Sequence, residues 1–173
     1  MPTPGKVAIV GASEMVSPEG VFPQYSQLGL HAEAAIRAMK DAGLKPSDID
    51  GVACAGASPT ETAFYLGITP TYVDGTSVGG CSFMIHVRHA VAAIEAGLAT
   101  TVLVTHGESG KSGIGRGGWP MGGGASLQAQ FEQWTGPMGA PTSFTIPVMR
   151  YLKQYNVTEE QLAMVAVVQR EYA

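Results

Sequence analysis

Short β-branched runs and longer stretches of helical periodicity take turns along this chain. Residues 6–10 (Lys-Val-Ala-Ile-Val) end at Gly11 and have the pattern of a strand buried on both faces. Across residues 25–42, Leu28, His31, Ala35, Ile36 and Met39 recur near helical spacing and Gly43 supplies a stop, which predicts an amphipathic helix. The small apolar segment 51–56 reads as a second strand, a short helix is expected across 62–66, and residues 71–74 read as a third short strand. Residues 82–96 are almost uninterruptedly apolar, too broad for a one-sided surface helix, so a largely buried helix ended by Gly97 is expected there. Residues 101–105 (Thr-Val-Leu-Val-Thr) return to strand character. The alternation predicts an α/β fold, with a mixed, mainly parallel sheet covered by helices.

Past the last strand the pattern breaks. Residues 107–139 are rich in glycine, proline and methionine, with one helix expected across 126–133, and a connection of that length favours a binding loop or an interface. Helix is expected again in the second part of 142–155. Thr158 followed by Gln161 is a capping box that opens a helix through Leu162, Val165, Val168 and Tyr172. The sequence stops inside that helix, which points to a truncated or cleaved product.

Composition narrows the function classes. A chain of 173 residues is long enough for one cored domain, and 45% hydrophobic content with 23 glycines suits a packed α/β protein. Only 14% of residues are charged, which leaves little solvated surface and predicts that part of the exterior is covered in an oligomer. The net charge of -4 offers no basic field for nucleic acid. No apolar run reaches membrane-spanning length, the first residues lack a signal-peptide pattern, and two cysteines (Cys54 and Cys81) are too few for a disulfide framework, so a cytoplasmic protein without a membrane span is expected.

The candidate chemistry lies between residues 76 and 108. Thr76-Ser-Val-Gly-Gly-Cys-Ser82 leads into the apolar helix; the helix closes on Ala96-Gly97; a strand then runs to Gly107-Glu108. This order resembles the thiolase superfamily, in which a nucleophile sits at the N-terminus of a buried central helix. The connection 42–51 is also similar to that superfamily, and 151–162 resembles its lipid-transfer, sterol-carrier-type branch, so the likeness covers nearly the whole chain. It implies a thiolase-like amino-terminal domain whose C-terminal half is absent here. It also implies an acyl-CoA substrate, no permanently bound cofactor, and a role in lipid metabolism or steroid degradation.

Thiolases place a cysteine at this helix start because unpaired N–H groups and the helix dipole stabilise a thiolate. Counting back from Ala96-Gly97 puts Gly80 at that position and Cys81 one residue later. One residue of helix turns a side chain by ~100°. The resemblance therefore leaves two activities open, thiolase-like acyl transfer and retro-aldol cleavage of a β-hydroxyacyl-CoA thioester, with the shift favouring the second. A non-catalytic thiolase-like subunit that scaffolds a partner or binds acyl chains is the rival.

Candidate catalytic residues are Cys81 and His106, although Cys81 also fits a small packed residue at a Gly-Gly turn. Candidate substrate-binding residues are Gly79, Gly80 and Ser82 at the turn, with Lys111 and Arg116 open to coenzyme A phosphates, to a partner chain or to plain solvent exposure. His86 and His89 share a helix face but have no obvious carboxylate pattern nearby, so hydrogen bonds internally or at an interface are expected and no metal site. Gly113, Gly115 and Gly118 match a dinucleotide fingerprint only literally, and 109–112 lacks the upstream glycine of a P-loop. The expected partners are the missing half or a second chain, in a homodimer or hetero-oligomer.

Overall fold

The computed structural model describes residues 5–115, 130, 131, 134, 136 and 140–172. The chain divides into two compact units, Met1–Arg116 and Gly117–Ala173.

In the first unit the elements run α1 (Gln27–Ala42), β1 (Gly51–Ala55), α2 (Pro59–Leu66), β2 (Tyr72–Asp74), α3 (Ser82–Glu95) and β3 (Val102–His106), with a short 3-10 turn at Pro46–Asp48. Local chemistry sets the helix ends. Ser26 accepts the Gly29 N–H at 3.0 Å, and Gly43, at φ 69, closes α1 with the paired backbone bonds of a left-handed cap. α2 begins at Ser58 with Pro59 in its first turn and ends at Gly67, also left-handed.

The strands are parallel in the order β2-β1-β3, with Gly51 opposite both Tyr72 and Val102. Alternation along β1 assigns its two faces. Val52 joins the core formed by Ala32, Ala35 and Met39 of α1, Ala63 and Leu66 of α2, and Leu103 of β3, whereas Gly51 faces Val102 and Ala99 on the other side. Every residue of β1 is buried because helices cover both faces of this central strand. At the opposite end of the strands from the candidate site, the Asp50 carboxylate accepts bonds from the Thr100 and Thr101 N–H groups and the Thr100 hydroxyl, at 2.7 to 2.9 Å, tying β1 to β3.

Two expectations change. Residues 6–10 are not a strand: Ile9 is 79% exposed and Val10 64%, and the segment leads along α1, where Gly11 lies close against Ala38 and Ala42 and the Ala12 N–H donates to Asp41. β-branched composition favours extended backbone, but a strand also requires a hydrogen-bonding neighbour, and none pairs with it among the described residues. Helix α3 is buried along one face only, through Ser82, His86, Ala90 and Ala93, while Met84 is 63% exposed. This unit packs a sheet against a single side of the helix, so its apolar breadth exceeds what the unit covers.

The second unit contains α4 (Ala140–Tyr155) and α5 (Glu159–Glu171). The expected capping box forms: Thr158 Oγ1 accepts the Gln161 N–H and the Gln161 side chain accepts the Thr158 N–H. Most of the helix expected at 126–133 and most of the 107–139 loop past residue 115 lie outside the described residues.

Candidate active site

In a parallel sheet the C-terminal strand ends gather on one rim, and here that rim carries the thiolase-like segment. The turn before α3 is built by glycine and serine. Gly79 takes a positive φ of 89, which an L side chain rarely adopts. Ser82 is fully buried; its hydroxyl donates to Gly79 O at 2.6 Å and accepts the Val78 N–H at 2.9 Å. Ser82, proposed above to bind substrate, is thus occupied in holding the turn. A Cβ at Gly80 would meet nothing within 4 Å, so the backbone there borders open space. Cys81 is the N-cap of α3, exposed and without a side-chain capping bond. Among the described residues no hydrogen bond joins its sulfur to an imidazole or a carboxylate, the partner that would generate a thiolate.

β3 delivers the second group. The His106 Nε2 lies 3.7 Å from Glu108 Oε2, both side chains partly exposed, and the His106 ring stands 5.7 Å from Phe83 in the first turn of α3. Beneath it lies His31 of α1, fully buried, with Nδ1 hydrogen-bonded to Thr105 Oγ1 at 2.8 Å. Burial, and then the charge of His106, push His31 down to about 4. A Cβ at Gly107 would come within 2.6 Å of the His31 ring, so the strand exit lies directly on that imidazole.

A second cluster anchors the turn from below. The Asp74 carboxylate at the end of β2 accepts the Thr76 N–H at 2.9 Å and the Thr76 hydroxyl at 2.7 Å, and pairs with His89 Nδ1 at 2.7 Å. Against a burial penalty that would raise it, these Thr76 and His89 bonds and the nearby His86 hold Asp74 down to about 2. His86, fully buried, is hydrogen-bonded to Thr76 O at 2.9 Å. Internal hydrogen bonding of both histidines is as expected, but a carboxylate does meet them, one that sequence spacing hid. Among the described residues no group of three or more potential ligands is placed to hold a metal.

The remaining candidates lie to one side. Lys111 donates to Glu19 O at 2.8 Å, and Ser112 accepts the Phe22 N–H at 2.6 Å, so the 109–114 segment is pinned to the loop that precedes α1. Arg116 lies outside the described residues. Cys54 is buried and Cys81 exposed, both as free thiols. Concavities of about 450 Å3, beside Leu28, Phe64 and Tyr65, and about 410 Å3, beside Lys6 and Ile94, lie elsewhere. Sequence reasoning missed His31 and Asp74 as parts of the site; a histidine on the apolar face of α1 was the available signal.

No family model matches the chain. It is 33% identical to a steroid side-chain-cleaving aldolase of Thermomonospora curvata over 98% of its own length and 45% of the relative's. It is 28% identical to a 17-hydroxy-3-oxo-4-pregnene-20-carboxyl-CoA lyase of Mycobacterium tuberculosis over 98% of its length and 46% of that protein's. The chain thus spans about half the length of the curated relatives it matches. Among solved structures, the Ltp2-ChsH2(DUF35) aldolase superposes with a TM-score of 0.75 at 28% identity, over 87% of this chain and 39% of that one. By sequence, nearly the whole chain is similar to part of an aldolase and to part of a CoA lyase, and by fold it is similar to the Ltp2-ChsH2(DUF35) aldolase.

Proposed function

We propose that this chain supplies the amino-terminal half of a retro-aldolase that cleaves a carbon–carbon bond in a β-hydroxyacyl-CoA thioester of the steroid side-chain type. One observation carries the choice over thiolase-like acyl transfer: Cys81 stands exposed at the helix N-cap, with neither imidazole nor carboxylate among the described residues bonded to its sulfur, while Gly80 opens the backbone of the same turn. A retro-aldol step needs no acylated sulfur. The substrate hydroxyl gives its proton to a base, the carbon–carbon electron pair moves into the thioester as an enolate, the ketone leaves, and the enolate carbon takes up a proton. The N–H groups opening α3 suit the enolate oxygen. The His106–Glu108 pair suits proton transfer. Lys111 and Arg116 remain the candidates for coenzyme A phosphates.

Because the chain spans about 45% of its relatives, the remaining acid-base groups and the far wall of the pocket belong in this proposal to a further segment or a second chain. The solved relative is an aldolase of Ltp2 with ChsH2(DUF35), and a DUF35-type partner is the specific form we propose. The exposed apolar face of α3, with Met84 and Val87, suits coverage in such a homo- or hetero-oligomer. No described helix is long and apolar enough to cross a membrane, and two free thiols suit the cytoplasm.

The test is carbon–carbon cleavage of a β-hydroxyacyl-CoA by the full-length protein with its partner, followed as release of ketone and acyl-CoA. Cys81→Ala should keep activity within a few-fold, and Glu108→Gln should lower kcat by ~100-fold or more. Loss of activity in Cys81→Ala together with a trapped acyl-enzyme in the parent would establish acyl transfer instead. Indifference to both substitutions would favour the scaffolding subunit.

A further inference from the structure

We infer that His31 is a positioning residue: its buried ring, clamped under residues 105–107, sets the orientation in which β3 presents His106 and Glu108. The enzymatic part of this inference rests on the retro-aldolase reading; the structural part does not.

Three consecutive residues of the strand exit bear on this one ring. Thr105 holds Nδ1 at 2.8 Å, the His106 ring meets it edge-on at 6.4 Å and 63°, and Gly107 passes so close that a Cβ would approach the ring to 2.6 Å and the His31 backbone nitrogen to 3.0 Å. The ring has no exposed surface. His31 Nε2 and His106 Nδ1 are both buried without a hydrogen-bond partner among the described residues. An apolar pair at positions 31 and 105 would fill such a site without stranding a polar atom, so an imidazole there calls for a reason beyond packing. The reason offered by the geometry is directional. The Thr105 bond fixes the ring plane of His31, that plane forms the surface on which the His106 ring leans, and His106 in turn faces Glu108 through Nε2. Among the described residues, the titratable group against the ring is His106, itself paired with Glu108, while the Cys54 thiol of β1 is directed to Ala57 O at 3.4 Å and Thr62 Oγ1 at 3.6 Å.

The experiment uses the full-length protein with its partner, labelled with ring-15N histidine, in the parent and in His31→Phe, His31→Asn and Thr105→Val. Positioning predicts that the His106 ring signals move in both His31→Phe and Thr105→Val. It also predicts a kcat lowered about tenfold or more at nearly constant KM. His31→Asn, whose amide can reach the Thr105 hydroxyl, should recover part of the loss. If His31→Phe does not fold, Thr105→Val decides, since it keeps the side-chain volume. Unchanged His106 signals overturn the inference, even where Glu108→Gln abolishes cleavage and the retro-aldolase reading stands. Displaced signals with unchanged kcat support the positioning and sink the catalytic role given to His106 and Glu108.

Discussion

Acid should destabilise the first unit through one residue. His31 is held down to about 4 in the folded chain, against 6.5 as its ordinary value. A group whose folded value is depressed binds its proton more readily in the unfolded state, so stability is fully present above about pH 6.5 and is lost as pH falls towards about 4. Integrating the two titrations gives a loss of about 2 kcal/mol between about pH 7 and about pH 5, and about 3 kcal/mol by about pH 4. The ring is fully buried, so solvent screening does little to reduce this figure. The assay is urea unfolding of the full-length protein, read from amide protection of β1 and β3, for the parent and for His31→Leu. The difference between the two isolates His31 from the other three histidines of the chain. His31→Leu should remove the slope between about pH 6.5 and about pH 4. A variant whose stability falls with acid as steeply as the parent's would refute the reasoning.

Asp74→Asn should destabilise the β2–α3 junction by roughly 1–3 kcal/mol near neutral pH, because an amide cannot replace all the carboxylate bonds to Thr76 and His89; urea midpoints check this. Since the folded Asp74 sits at about 2 against an ordinary 3.8, its contribution is present above 3.8 and fades as pH falls through about 2, so parent and variant should converge there. Gly107→Ala should cost about 1–3 kcal/mol, because the new methyl would meet a buried ring and backbone rather than a movable chain end; thermal unfolding and the His106 ring signals report it. Cys81→Ala should change stability by less than about 0.5 kcal/mol, since the side chain is exposed and caps nothing. Residues 1–173 alone should form dimers or larger species by light scattering, because Met84 and Val87 leave an apolar face of α3 open; a monodisperse, cooperatively unfolding monomer would contradict that.

What could be seen in the sequence was what neighbours along the chain decide. Ser26 and Gly43 bound α1, Thr158 and Gln161 open α5, and Gly79 shapes the turn before α3, each through bonds spanning a few residues. The alternation of strand and helix runs gave the parallel α/β order, and the spacing from Gly80 to Glu108 carried the thiolase-like likeness. What only the tertiary structure decided rests on contacts between distant residues. Residues 6–10 have strand composition but pair with nothing described, since a strand is made by its neighbour. The breadth of α3 signals apolar character without saying which face this unit covers. His31 meets Thr105 across 74 positions and His89 meets Asp74 across 15, so neither pairing leaves a periodic trace; only the stacking of α1 on β3 and of α3 on β2 brings those groups to the rim where Cys81, His106 and Glu108 stand.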